Sequence, residues 1–160
     1  MPSAVTPYDV IVVLVHIALI GIGIWLLVID ARTHRLPNRI VLPTLAAALA
    51  LVGIDALVTG QSGPLIGGVI GMLVLGGIYA VLRATSRGGI GGGDVKLAAV
   101  IGLVLGWHGW QALAVGAASA FVLGALYALV LMALRRADRS TRIAFGPWMI
   151  IGAVLGVVAA

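Results

Sequence analysis

Apolar residues fill this chain in long, nearly unbroken runs, without the stripes of a soluble helix or the alternation of a half-buried strand. The first run extends from Tyr8 or Asp9 to Ile29, about 20 residues, enough to cross a bilayer core as a helix. A charged break, DARTHRLPN from Asp30 to Asn38, separates it from a second span at about Arg39 to Thr59. Gly60 to Pro64 predicts a tight turn, and a third span ends near Leu82. Arg83 to Gly93 forms a basic, glycine-rich loop before a shorter apolar run, Val95 to Gly106, which predicts a tilted helix or one ending among its neighbours. Trp107 to Trp110 predicts an interfacial turn with two indoles at headgroup depth. A fifth span covers about Gln111 to Leu134, Arg135 to Arg142 is a third charged loop, and Phe145 to Ala160 is a short sixth span. The predicted fold is an all-α, polytopic membrane protein, a single bundle of about six transmembrane helices over residues 1–160.

Composition sharpens that picture. Of the 160 residues, 62% are hydrophobic and only 9% charged, against about 25% charged in a soluble domain. Cysteine is absent, which excludes thiol chemistry and thiolate metal sites from these residues. Residues 1–8 carry no basic residue and no cleavage-site pattern follows the first span, so a removable signal peptide is not predicted. The glycine pairs Gly67 and Gly71, Gly102 and Gly106, and Gly152 and Gly156 have the small-xxx-small spacing that lets membrane helices pack closely.

Charge sets the orientation. Arg32, Arg35, Arg39, Arg83, Arg87, Lys96, Arg135, Arg136, Arg139 and Arg142 are all ten basic residues, and all fall on one side of the predicted bundle. The positive-inside rule makes that side cytoplasmic and puts both termini outside, in a multi-pass protein of the plasma (inner) membrane. The net charge of +5 therefore reflects topology rather than nucleic-acid binding.

The acids are five aspartates, Asp9, Asp30, Asp55, Asp94 and Asp138. Helix parity brings two of them to one face: Asp30 at the cytoplasmic end of span one and Asp94 at the cytoplasmic start of span four. Paired carboxylates run aspartyl-type hydrolysis, one activating a water while the other protonates or polarises the carbonyl. Helix-end electrostatics favours a proton on Asp30 and the anion on Asp94, which predicts Asp94 as the usual base and Asp30 as the usual acid. The run RGGIGGGDVK from Arg87 to Lys96 places five glycines before Asp94, a backbone that another chain can approach closely.

The segments IDARTHRLPN (Ile29 to Asn38) and GIGGGDVKL (Gly89 to Leu97) resemble the two catalytic segments of the prepilin leader peptidase family, the GxGD-type integral-membrane aspartyl proteases. The FGP step, Phe145-Gly146-Pro147, resembles the opening of that family's last helix, and the resemblance extends from about residue 10 to 157. It implies an endopeptidase that removes leader peptides from type IV prepilins or pilin-like precursors at the cytoplasmic membrane face, with Asp30 and Asp94 as its catalytic pair. Gly91 and Gly93 carry over as motif glycines that admit the substrate backbone, with Lys96, Pro37 and Asn38 as substrate-binding or loop-supporting residues. The longer bacterial members carry a cytoplasmic N-terminal region with paired cysteine motifs and also N-methylate the new pilin terminus. Only about eight residues precede span one here and cysteine is absent, so a short, peptidase-only member without methyl transfer is expected.

Other residues have plainer readings. Lys96 either steadies Asp94 or orients substrate, or is a snorkelling basic residue. His34 is read as a solvated loop residue, His16 as hydrogen-bonded within the bundle, and His108 as interfacial. Asp55 is read as a solvated or paired structural acid, and Asn38 as the N-cap of span two after Pro37. No metal or other cofactor is predicted, since no His/Asp cluster has ligand spacing, and the glycine loop lacks the GK[ST] of a phosphate loop. The expected partners are a prepilin-like precursor and membrane lipids, whose anionic headgroups suit the basic loops. The rival reading is a small transporter or channel using its aspartates as an ion or proton relay, which predicts acids at the bilayer midplane. A purely structural subunit would leave Asp30→Asn and Asp94→Asn both silent.

Overall fold

The computed structural model describes residues 7–33, 37–86, 90–135 and 145–160, and within these residues it has six helices and no strand. They are α1 (Pro7–Thr33), α2 (Asn38–Thr59), α3 (Ser62–Thr85), α4 (Gly92–His108), α5 (Trp110–Ala133) and α6 (Gly146–Val158). Segments within α1, α2, α3 and α5 are long and apolar enough to span a membrane. This is an all-α polytopic membrane protein. The expected turn at Gly60–Pro64 is shorter than predicted: Gly60 ends α2 at φ 68 and Pro64 already lies in the first turn of α3, where its missing N–H costs nothing.

The short fourth helix is the middle of the molecule. At 17 residues α4 is about 25 Å long, and it packs against α2, α3, α5 and α6. Leu97, Ala98, Leu103 and Leu105 on it are almost completely buried. Helices that meet lipid can stay apolar all round, but a central helix must also be thin enough for close neighbours. Glycine supplies the thinness. Cβ atoms on Gly71 and Gly102 would each run into the other's backbone carbonyl, and the same holds for Gly67 and Gly106. The α5–α6 seam is built alike, with Gly116 against Gly152 and Gly156 against Ala112. All three predicted glycine pairs therefore serve helix contact.

Trp107 departs from the sequence expectation. α4 continues through Trp107 and His108, and the turn falls on Gly109, whose φ of 113 suits glycine. The Trp107 indole N–H donates to Oδ2 of Asp55 at 2.7 Å, turning the ring into the bundle. The reason is that Asp55 is only 8% exposed and takes an indole donor. Trp110, which opens α5, is exposed as an interfacial indole should be.

Candidate active site

Asp30 lies three residues before the end of α1 and is only 4% exposed. Its Oδ2 accepts the backbone N–H of Gly146 at 3.1 Å, the first residue of α6. Free backbone N–H groups and the positive end of a helix suit a carboxyl oxygen. Pro147 follows at the next position, where its lack of an N–H is harmless. A Cβ on Gly146 would collide with the Asp30 carboxyl. The FGP step thus has a physical account that the sequence alone did not give: its glycine is the space into which Asp30 reaches.

Asp94 occupies the first turn of α4, one residue before the apolar run begins at Val95, and so lies outside that run. Its Oδ2 accepts the N–H of Gly91, the residue that caps the helix, at 3.1 Å. Gly91 has φ −71, so its glycine is not demanded by backbone conformation; a Cβ there would press on the Asp94 carboxylate at 3.3 Å. Gly93 lies beside Asp94 in the same turn. Arg83, at the end of α3, donates to the Ile90 carbonyl at 3.4 Å and borders Gly92.

Burial pushes the Asp94 carboxyl above the usual carboxylate range. The Gly91 N–H opposes this, the charge of Asp30 adds to it, and the Arg83 guanidinium opposes it again. The helix start alone does not decide the protonation of Asp94, because burial outweighs it; the expectation from helix-end electrostatics is corrected on that point. The mutual influence of Asp30 and Asp94 places the two carboxyls at one end of the bundle, as helix parity predicted. Tyr79 of α3 joins them: it is buried against Phe121 and Phe145, with ring centroids 5.6 and 6.0 Å away, and lies within the field of Asp94. Sequence reasoning passed over Tyr79, whose only signal was a phenol inside an apolar span.

The two loop motifs also meet. Lys96 Nζ donates to Oδ1 of Asn38 at 2.7 Å. Asn38 is therefore not the N-cap of α2. Pro37 takes that position, with no side-chain cap, and its carbonyl accepts the N–H groups of Ile40 and Val41. The Asn38 amide is engaged by a cation on another helix in place of its own helix start. His34, Arg87, Gly88, Gly89 and Asp138 lie outside the described residues.

At the far end of the bundle, His16 is hydrogen-bonded as expected, to the Val12 carbonyl and to His108. His108 is correspondingly a half-buried partner of His16 rather than an interfacial residue. Asp55 is paired, to Trp107. Among the described residues no group of three His, Cys, Asp or Glu side chains is placed to hold a metal ion.

The prepilin leader peptidase/N-methyltransferase of Dickeya chrysanthemi is 36% identical over 139 residues, covering 86% of this chain and 48% of the relative. The protein of the same name from Bacillus subtilis (strain 168) is 35% identical over 142 residues, covering 87% and 53%. That of Pectobacterium carotovorum subsp. carotovorum is 34% identical over 134 residues, covering 83% and 47%. The chain thus spans about half the length of the curated relatives it matches. No solved structure matches it. Residues 17–129 match the type IV leader peptidase family, and the chain belongs to that family.

Proposed function

We propose that this protein is an aspartyl endopeptidase that removes the leader peptide from type IV prepilins or pilin-like precursors at the cytoplasmic membrane face, with Asp30 and Asp94 as its catalytic pair. The observation that carries this reading is the convergence of the two carboxyls, each holding one backbone N–H from a helix start, on one end of the bundle. Like charges at such a site share a proton. The ionised carboxyl takes a proton from water as the oxygen attacks the scissile carbonyl. The protonated carboxyl polarises that carbonyl, and the leaving amine departs with a proton from the pair.

Arg32, Arg39, Arg83, Lys96 and Arg135 stand at the helix ends on the same side as the two aspartates, which supports a cytoplasmic site in the inner membrane under the positive-inside rule. The relatives' printed name joins peptidase and N-methyltransferase activities, and residues 1–160 act in this reading as the peptidase unit alone.

The test is cleavage of a co-expressed prepilin-like precursor by wild type, Asp30→Asn and Asp94→Asn at matched membrane levels. Loss of processing in both variants supports the dyad, and processing by either variant overturns it. The mass of the mature N-terminus separates cleavage alone from cleavage with methylation. The relay reading calls for acids at the midplane, and the two aspartates stand at helix ends.

A further inference from the structure

The end of the bundle remote from Asp30 and Asp94 carries a second built cluster. Asp30 follows His16 by fourteen residues on α1, and His108 follows Asp94 by fourteen on α4. Fourteen residues are close to four helical turns and about 21 Å. On two antiparallel helices, equal spacings of this kind put a matched pair at each end. Among the described residues, α1 packs its backbone on α6 and not on α4. A cleft of about 200 Å³ lies in the intervening space, lined by Gly23 and Leu26 of α1 and by Leu97 and Val104 of α4, with His16 at its end.

His16 closes that end of the cleft, and the contacts of the two imidazoles can be counted in protons. His16 Nδ1 is 2.7 Å from the Val12 carbonyl oxygen, and His108 Nδ1 is 2.8 Å from the Val104 carbonyl oxygen. A carbonyl only accepts, so each Nδ1 carries a hydrogen. The two Nε2 atoms face each other at 2.9 Å. Two neutral imidazoles hold one N–H each, and these three contacts need three. Nitrogen atoms sharing one tetrahedral metal would lie farther apart, at roughly 3.3 Å for bonds near 2.0 Å.

We infer that His16 and His108 form a proton-binding clasp, in which one added proton shared between their Nε2 atoms holds α1 to α4 at the end of the bundle opposite the aspartates. The proton comes from solvent at that end and returns to it, and no other bond changes. The cluster is built to take the charge. The Trp107 ring stacks on His16 at 5.5 Å and 21°, a face suited to a cation. The indole N–H donates to Asp55, whose buried carboxylate lies beyond it. Among the described side chains, Asp55 of α2 is the acid at this end of the bundle, reached through Trp107. The described part of α6 has no titratable side chain, and those of α3 and α5, Tyr79, Arg83 and Tyr127, lie toward the opposite end.

Without the shared proton, two nitrogen lone pairs face each other and the contact is repulsive. The clasp therefore closes as pH falls and opens as pH rises, letting α1 move relative to α4. This inference is independent of the peptidase reading, and its test uses no cleavage assay.

The chain has no cysteine, so Val13→Cys on α1 and Trp110→Cys at the start of α5, both exposed positions, can carry spin labels in nanodiscs. The label-to-label distance should shorten as pH is lowered from about 8 to about 5, the range over which imidazole changes charge. His16→Leu and His108→Leu, each in that background, should abolish the shift. Nitrogen NMR of histidine-labelled protein with native His16 and His108 should show a third N–H across the pair at the lower pH. An unchanged distance, a shift that survives either substitution, or two neutral rings throughout would each overturn the clasp.

Discussion

The backbone N–H of Gly146 donates to Oδ2 of Asp30 at 3.1 Å, fastening the end of α1 to the start of α6. Because a Cβ at 146 would occupy the position of the carboxyl, Gly146→Ala must push Asp30 out of place while leaving the apolar contacts of α6 intact. The expected outcome is at least about a tenfold loss of precursor cleavage, equivalent to ~1.4 kcal/mol of transition-state stabilisation. Quantitative immunoblotting of processed and unprocessed precursor, with the variant's membrane level matched to wild type, checks it. Wild-type processing by Gly146→Ala would show that the position of Asp30 is not critical.

The Lys96–Asn38 hydrogen bond ties the two aspartate-bearing motifs together at the solvent edge. Lys96→Met and Asn38→Ala should each lower cleavage by about fivefold, the equivalent of ~1 kcal/mol for a hydrogen bond of this kind. The double variant should lose little more than the worse single one, because both substitutions remove the same bond. Independent, multiplying losses would instead assign Lys96 and Asn38 separate roles toward substrate.

Much of this was legible in the sequence for a simple reason. In a bilayer every span must satisfy its own backbone, so long apolar runs become helices and their number fixes which ends share a side. That logic alone brought Asp30 and Asp94 together across 63 intervening positions. What the sequence did not disclose are contacts between side chains on different helices, which depend on rotation about each axis. Asn38 reads as an N-cap by residue type, but its rotation presents the amide to Lys96. Trp107 and His108 read as interfacial because they end an apolar run, yet the length of α4 and the aspartate on α2 turn them inward. Burial likewise outweighs the helix start at Asp94, a quantity no spacing argument contains.

The α3–α4 seam makes a separate stability prediction. A methyl at Gly102 would meet the Gly71 carbonyl and the Leu75 side chain, whereas a methyl at Gly77 would meet nothing within 4 Å. Gly102→Ala should destabilise the protein by roughly 1–3 kcal/mol, the usual cost of overpacking, despite alanine's better helix propensity. Gly77→Ala should be neutral or slightly stabilising. Reversible unfolding in mixed micelles distinguishes the two, and equal stability of both variants would remove the close-approach account of this seam.

Asp94 carries the last prediction, in which stability and activity move in opposite directions. Its carboxyl is held above the usual range chiefly by burial, so the folded state favours the neutral form. A group raised in this way contributes stability below its unfolded value, near 3.9 for aspartate, and loses that contribution as pH rises through the folded value. At neutral pH the wild type therefore bears an uncompensated part of the cost of a buried charge. Asp94→Asn removes the charge and keeps an oxygen able to accept the Gly91 N–H. The variant should melt higher than wild type at neutral pH, with the difference fading as pH falls toward about 4, while precursor cleavage is lost. A lower melting temperature for Asp94→Asn at neutral pH would mean that the Gly91 N–H and Arg83 outweigh burial, and that Asp94 is held as the anion after all.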